Sequence, residues 1–451
     1  MKNLSLLVDL YELTMAQVYF RHKPEARATF DLFVRDLPPG RSYLVAAGLA
    51  DVLEYLGRLR FGAEDIAYLE KLKIFSPAFL RYLRQLRFKG DVWALPEGTV
   101  CFAQEPIVRI TGSLIEAQLI ESFLLNTINL QTMIASKASR VVSACRGHKV
   151  YDFSLRRTHG SDAGIKVARS SYLAGFDGTA NVLAGKLYGI PVAGTMAHSF
   201  VMSFKHELDS FHAYARSFPS RTTLLVDTYD VKKGIENAIK TGLYLKSKSC
   251  RLQGIRLDSG NITYLSKLAR RMLDQAGLSG VGIIASGNLD EFKIKDLLAR
   301  DACVDSFGVG TNMGVSIDAP SLDVIYKIAE VTGDDGNFLP TMKLSFAKVT
   351  YPGRKQVFRV CDKKGRYLRD IVALEEEKIK GVPLLKQMVK KGRLLHRAPA
   401  LKKIREFAAR DLAGFNEGLR QVYSAYRYPV VISARLKALR ENLGNTLIRR
   451  Q

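Results

Sequence analysis

A single histidine, His198, closes the stretch IPVAGTMAHSF at residues 190–200. It follows an apolar run and the small residues Gly194, Thr195 and Ala197. A neutral imidazole at a strand end can act as a nucleophile or carry a proton when a partner orients its second nitrogen. It can equally be an ordinary packed histidine, so other strand ends decide the matter. DFSLRRTHGSDAG carries Arg156, Arg157 and His159, and VDTYD carries Asp227 and Asp230. GIRLDSGN carries Arg256 and Asp258, ASGNLDE carries Ser286 and Gly287, and GVGTNMG carries Gly308, Gly310 and Thr311.

This set has a chemistry. Glycine-rich turns let backbone N–H groups approach an anion, and arginine grips phosphate bidentately. Aspartates among them would repel a polyanion unless a divalent metal lies between. Mg²⁺ held by one or two carboxylates plus substrate phosphates fits that pattern. The expected substrate is phosphorylated, even pyrophosphorylated. Each group also has a structural explanation: SGN and GVGTN as plain turns, Asp227 as a helix cap, Arg256 and Asp258 as a rim ion pair. Any one alone is more often structural; six at successive strand ends favour a site. GTANVLAGKL (178–187) has the wrong glycine spacing for a phosphate-binding loop, and Leu187 stands where Ser or Thr is needed. GVGTNMG misses the dinucleotide pattern, so no NAD redox cofactor is expected.

The elements that must position these groups follow from periodicity. Residues 1–22 predict a helix, 28–36 (ATFDLFVRD) a strand, 44–58 and 63–86 helices, 99–110 short strands, and 113–146 a long helix. Then short apolar runs recur: 149–153, 190–194, 223–227, 252–258, 281–286, 305–310 and 322–328. Helical stretches such as 231–246, 261–276 and 289–300 separate them. This is the rhythm of βα units with parallel strands, and six or more favour an α/β barrel over roughly 145–330, whose active face lies at the strand C-termini. Residues 340–362 (LSFAKVTYPG, a turn, KQVFRVCD) predict a hairpin that completes a sheet begun near 28–36 and 91–110. The expected organisation is therefore 1–144 as the N-terminal part of an α+β domain and 145–330 as the barrel. Residues 331–366 form the return hairpin and 367–451 a basic, mostly helical C-terminal region.

The bulk properties exclude several classes. With 451 residues and 47% apolar content, the chain supports two domains. Asp9 and Glu12 interrupt the apolar start, so no signal peptide is expected, and no stretch approaches the ~20 apolar residues of a membrane span. Five scattered cysteines without a CxxC pair imply reduced thiols in a cytoplasmic protein and no zinc site; no haem is expected. The net charge is +24, and residues 361–451 hold 22 Lys/Arg against 9 Asp/Glu, a net of +13. The plain reading is a solvated basic surface; the functional one is a field that concentrates anionic substrates. No zinc-finger or ribonucleoprotein-type aromatic motif accompanies it, so nucleic acid is not the expected partner.

Residues 150–200, VYDFSLRRTHGSDAGIKVARSSYLAGFDGTANVLAGKLYGIPVAGTMAHSF, closely resemble the nicotinate phosphoribosyltransferase family. So do VDLYELTMAQVYF, LLVDTYD, GIRLDSGN, FGVGTNM, TMKLSFAKVTYPGRKQVFR and the terminal RYPVVISARLKALR. The resemblance implies an α/β fold: an irregular (β/α) barrel of the type II phosphoribosyltransferase kind, packed against an open α+β sheet domain, in a homodimer with shared active sites. It implies that nicotinate and phosphoribosyl pyrophosphate form nicotinate mononucleotide and pyrophosphate, with Mg²⁺ and with ATP hydrolysed as co-substrate. His198 matches the family's phosphorylated histidine. Asp227 is the candidate for its orienting partner, or for a group just outside the metal's ligands. Thr195 matches a nicotinate-contacting position. Arg256 matches the arginine near the nicotinate carboxylate and ribosyl phosphates. Asp258 is expected to face the ribose hydroxyls or the metal. Phe153 and Tyr11 match the pair that sandwiches the pyridine ring, with Tyr11 from the partner subunit. Arg156 matches a phosphate-binding arginine. Thr311 and the Gly308–Gly310 backbone are expected to hold the 5′-phosphate, with Ser286 and Gly287 also lining the substrate. Lys343, Lys348, Arg354 and Lys355 are candidates to reach substrate phosphates or are plain surface cations.

Relatives that use nicotinamide typically carry an acid just after the GT of this block, where this chain has Ala180; that favours the acid substrate. The competing readings are a nicotinamide or quinolinate enzyme and a nucleic-acid-binding protein on the same scaffold. A quinolinate enzyme should carry extra basic residues and need no His198. A nucleic-acid binder should bind with steep salt dependence.

Overall fold

The alternating stretch near residue 30 becomes the strand Arg27–Val34, an inner strand of a seven-stranded antiparallel sheet. The computed structural model describes residues 4–344, 350–423 and 426–449, which fall into two compact units. The first unit comprises 1–133, 321–420 and 424–451. In spatial order its large sheet runs Phe338–Pro340, Val324–Thr332, Arg27–Val34, Pro106–Ser113, Asp91–Ala94, Lys386–Lys390 and Arg393–Leu394. The polar positions Thr29 and Asp31 of this inner strand do not face water. Asp31 is buried against Lys355 Nζ at 2.7 Å, and the Thr29 hydroxyl donates to Glu330 at 2.7 Å. Buried polar groups need such partners. A four-stranded sheet of Val382–Pro383, Lys355–Cys361, Tyr367–Leu374 and Val430–Ile432 belongs to the same unit.

Three expectations change here. The run at 322–328, read as a barrel strand, is the strand Val324–Thr332, antiparallel to Arg27–Val34 in the first unit. An apolar run does not encode whether its neighbour is parallel. Lys355–Cys361 forms a hairpin with Tyr367–Leu374, while residues 345–349 of the segment expected to precede it as its partner lie outside the described residues; Asp362 caps the intervening turn, accepting from Lys364 N at 2.8 Å and Arg366 N at 2.9 Å. The region from 367, expected to be mostly helical, begins with strands and becomes helical over Leu401–Ala413 and Ala434–Arg449. Of the four hairpin cations, Lys348 lies outside the described residues. Lys355 is buried on Asp31, Arg354 is engaged by Glu330 at 2.5 Å, and Lys343 is exposed.

The second unit comprises 134–320 and 421–423. Its six strands are all parallel, in the order Gly178–Thr179, Lys149–Asp152, Ser306–Val309, Gly282–Ala285, Gly254–Leu257 and Thr223–Leu225. A single parallel bridge from Thr179 to Val192 extends the row by one segment. The expected strand at 190–194 is thus reduced to one bridge. Helices intervene between successive strands, among them Ser161–Leu173, Val231–Ser247, Ile262–Gln275 and Glu291–Ala299. Asp230, Asn261 and Asp290 cap the last three by accepting from first-turn N–H groups. Parallel strands expose all their C-terminal ends along one edge, and that edge carries the polar residues. No helix among the described residues is long and apolar enough to cross a membrane.

Candidate active site

Arg256 is the hub of that edge. It lies on the strand Gly254–Leu257, and three neighbours fix its guanidinium. Nε donates to Ser286 Oγ at 2.8 Å, Nη1 to Thr195 Oγ1 at 3.0 Å, and Nη2 to Asp258 Oδ1 at 2.6 Å. The guanidinium carbon also stands 5.6 Å from the centre of the Phe153 ring, within cation–π range. Ser286 Oγ donates to the same Asp258 oxygen at 2.5 Å. Burial alone would raise the Asp258 carboxyl. Hydrogen bonds from Ser286 and Arg256, and the charges of Arg256 and His198, more than reverse this and hold it below the usual carboxylate range. Asp258 is therefore a carboxylate, with a side chain still 29% exposed.

Two glycines are required by close approach. Gly287 has φ +91°, and a Cβ there would overlap the carbonyl oxygen of Asp258. At Gly308 a Cβ would stand 2.5 Å from the Phe153 ring, so only glycine leaves that ring its place. Gly310 packs on the Phe153 carbonyl and precedes the short helix Thr311–Gly314.

His198 begins the helix His198–Met202 and is half-buried. Its Nδ1 lies 3.2 Å from Thr228 Oγ1. The orienting partner is thus Thr228 and not Asp227, which corrects the expectation from sequence. Asp227 turns instead to the next strand end. Its Oδ2 accepts from the Asp258 N–H at 3.1 Å and from Ser259 Oγ at 2.6 Å. Its Oδ1 is buried without a hydrogen-bond partner. Asp227 is no helix cap; Asp230 performs that task.

The structure joins Thr195, Arg256, Asp258, Ser286 and Phe153 in one cluster, with Asp227 bonded to it through the Asp258 backbone. Arg156 lies on the exposed turn Leu155–Arg157 that follows Phe153. Tyr11 belongs to the first unit, on the helix Leu10–His22, and is 49% exposed. Sequence reasoning missed Thr228, Ser259 and Asp152. Asp152 is buried, accepting from Ser154 N at 2.9 Å, Ser154 Oγ at 2.5 Å and Thr179 Oγ1 at 2.7 Å. Burial raises its carboxyl despite these bonds. It pins the strand end from which Phe153 projects. The D-x-S spacing of an Asx turn was the available signal.

No group of three or more His, Cys, Asp or Glu with metal-binding geometry occurs among the described residues. The oxygen donors at hand are two carboxylates: the orphaned Asp227 Oδ1 and the partly exposed Asp258. That donor set suits Mg²⁺ sharing its ligands with substrate phosphates.

Comparison with known proteins agrees with the geometry. Family models for the nicotinate phosphoribosyltransferase N-terminal domain, the nicotinate phosphoribosyltransferase family and its C-terminal domain match residues 6–129, 148–348 and 379–440. Nicotinate phosphoribosyltransferase pncB2 of Mycobacterium tuberculosis is 48% identical over 434 residues, covering 96% of this chain and 92% of its own. The Bacillus subtilis nicotinate phosphoribosyltransferase is 37% identical over 459 residues, with 96% and 93% covered. The crystal structure of human nicotinic acid phosphoribosyltransferase superposes with a TM-score of 0.86 at 30% identity, covering 97% and 99% of the two chains. With its sheets, its strand-end cluster and these relatives in agreement, the chain belongs to the nicotinate phosphoribosyltransferase family and is an enzyme of that type.

Proposed function

We propose that this enzyme joins nicotinate to phosphoribosyl pyrophosphate and couples the reaction to ATP through phosphorylation of His198. The observation that carries the reading is the Arg256 hub beside a histidine whose Nδ1 is held by Thr228. The nicotinate ring stacks on Phe153, and its carboxylate meets Arg256 and Thr195. The partner subunit's Tyr11 covers the other face. Exposed apolar side chains at Leu7, Leu10 and Val18, around Tyr11, support a homodimer that buries them. Arg156, the Gly308–Gly310 backbone, Gly287 and Thr311 receive phosphate oxygens. Asp258 accepts from the ribose hydroxyls.

The pyridine nitrogen attacks the anomeric carbon as the bond to pyrophosphate breaks. The protein contributes alignment, because the locked guanidinium and ring fix the direction of attack. Mg²⁺ fits Asp227 and Asp258 and, when bound, neutralises charge on the pyrophosphate. For the ATP step, with Thr228 Oγ1 accepting from an Nδ1–H 3.2 Å away, the Nε2 lone pair is left to attack the γ-phosphorus. ADP departs and a phosphohistidine remains until water cleaves it.

His198→Ala tests the coupling. Mononucleotide formation from nicotinate is measured with and without ATP; the unsubstituted enzyme is expected to be stimulated and the variant to show only the unstimulated rate. Equal stimulation in both would remove His198 from the pathway. Parallel assays with nicotinamide test the substrate, and turnover of the amide in preference to the acid would overturn it.

Thr228→Val removes only the hydroxyl that holds Nδ1. The ATP-stimulated rate is expected to fall about tenfold, the value of one hydrogen bond to a reacting group. Thr228→Ser should restore it. Loss in both variants would point to packing instead of orientation.

A further inference from the structure

Two loops of the second unit receive phosphate oxygens in the reading above, one carrying Gly287 and the other Gly308–Thr311. A single buried side chain reaches both. Lys137 and Arg140 lie one turn apart on the part of the helix Glu121–Ala144 that belongs to this unit. Lys137 is 1% exposed, and its Nζ stands 2.7 Å from Glu291 Oε2 and 2.7 Å from Asp318 Oδ1. Arg140, also buried, donates from Nε to Glu291 Oε1 at 2.9 Å and from Nη2 to the Val422 carbonyl at 3.3 Å. The Phe292 ring flanks both cations, with its centre 5.8 Å from Lys137 Nζ and 5.7 Å from the Arg140 guanidinium carbon. Lys137, Arg140, Glu291 and Asp318 together sum to no net charge, which is the condition for burying such a group.

Stability alone does not call for these charges. Well-packed apolar side chains of the same volume often serve a core as well or better. What the charges add is a fixed point between segments. Glu291 opens the helix Glu291–Ala299, four residues after Gly287. Asp318 comes seven residues after Thr311, beyond the short helix Thr311–Gly314. The same two loops are tied directly as well. Asn312 Nδ2 donates to the Asn288 carbonyl at 3.0 Å and to Asp290 Oδ2 at 3.3 Å. Asp290 meanwhile caps the helix, accepting from Lys293 N at 2.9 Å.

From these two ties we propose that Lys137 is a positioning residue for phosphoribosyl pyrophosphate: its buried ammonium, shared by Glu291 and Asp318, holds the loops carrying Gly287 and Thr311 at a fixed spacing and so sets affinity for the phosphorylated substrate. The inference rests on the phosphate-binding reading above. Those phosphates are gripped alike before and during transfer, so loosening the loops weakens binding in both states. The signature is a raised KM for phosphoribosyl pyrophosphate at unchanged kcat.

Lys137→Met removes the charge and keeps an unbranched chain. KM for phosphoribosyl pyrophosphate should rise about tenfold, with kcat and KM for nicotinate each within about twofold. Equilibrium dialysis of the radiolabelled substrate should show the same rise in Kd. Asp318→Asn is the gentler companion, because that side chain is 25% exposed and the change keeps its shape. It should raise the same KM about threefold, and the double variant should be no worse than Lys137→Met alone, since both break one link.

A lower urea midpoint in Lys137→Met with unchanged KM and Kd would overturn the proposal, because the cluster would then serve stability only. Multiplied effects in the double variant would also overturn it, as would an equal rise in KM for nicotinate. If Lys137→Met does not fold, Asp318→Asn decides, and an unchanged Kd there counts against the link. Failure of the phosphate-binding reading is distinguishable, because the unsubstituted enzyme would then retain no radiolabelled phosphoribosyl pyrophosphate in dialysis.

Discussion

Arg256→Ala is expected to lower kcat/KM for nicotinate by about 10³-fold, or about 4 kcal/mol, since the side chain makes several charge-assisted bonds in a confined site. The loss has two parts. The guanidinium no longer meets the substrate, and the groups it orders come free. Thr195, Ser286 and Asp258 each bond to it at 3.0 Å or less, and Phe153 lies beneath it. Without it, Asp258 retains Ser286 but loses its cationic partner, so its carboxyl rises towards ordinary values. Arg256→Lys restores a charge but not the fork, and it should recover at most about tenfold of the loss. Steady-state kinetics with each substrate varied provides the check. A loss below tenfold in the alanine variant would show that the hub is a structural ion pair.

The second large effect is on stability. Arg359 is buried in the first unit with a relative exposure of 2%. Nη2 donates to Asp370 at 2.7 Å and to the Val100 carbonyl at 2.7 Å, and Nη1 reaches Asp411 at 3.2 Å. The Tyr367 and Phe415 rings lie 4.8 and 4.7 Å from its guanidinium carbon. Glu105 is also buried there. Burial first, and then the Asp370 charge, push its carboxyl well above the usual range. Arg359→Ala removes the cation that Asp370 and Asp411 share. Breaking a buried pair from one side costs about 3–5 kcal/mol, because an uncompensated charge remains. Equilibrium urea unfolding should show that loss as a lower midpoint. A change under about 1 kcal/mol would mean that the two carboxylates take up protons or water with little penalty.

Much of the site was legible because its chemistry is local. Gly287, in a turn, and Gly308, in the strand Ser306–Val309, stand at close approaches that only glycine allows, and Arg256 and Asp258 share one strand end, so a short stretch carries both. The βα rhythm from 149 to 310 likewise needs only local periodicity. Where reasoning failed, the missing information was the partner across space. Val324–Thr332 has the apolar pattern of the barrel runs before it, yet it pairs antiparallel with a strand 300 residues earlier in the chain. The basic C-terminal region contains strands because Lys386–Lys390 finds an edge at Asp91–Ala94. Neither pairing leaves a mark in the strand's own residues.

The amino-acid sequence by itself determined the residue types at the strand ends and their order, and with them the expectation of an anion-binding edge carrying His198. Tertiary structure alone decided that His198 leans on Thr228 while its neighbour Asp227 turns to Asp258 and Ser259. It also decided that Thr223, Gly282 and Ser306, on three different strands, line one open pocket. Adjacent residues at a strand end point to opposite sides, and which side meets which partner depends on the register of neighbouring strands. That register is set by packing over the whole barrel, so the pocket appears only when the strands are laid side by side.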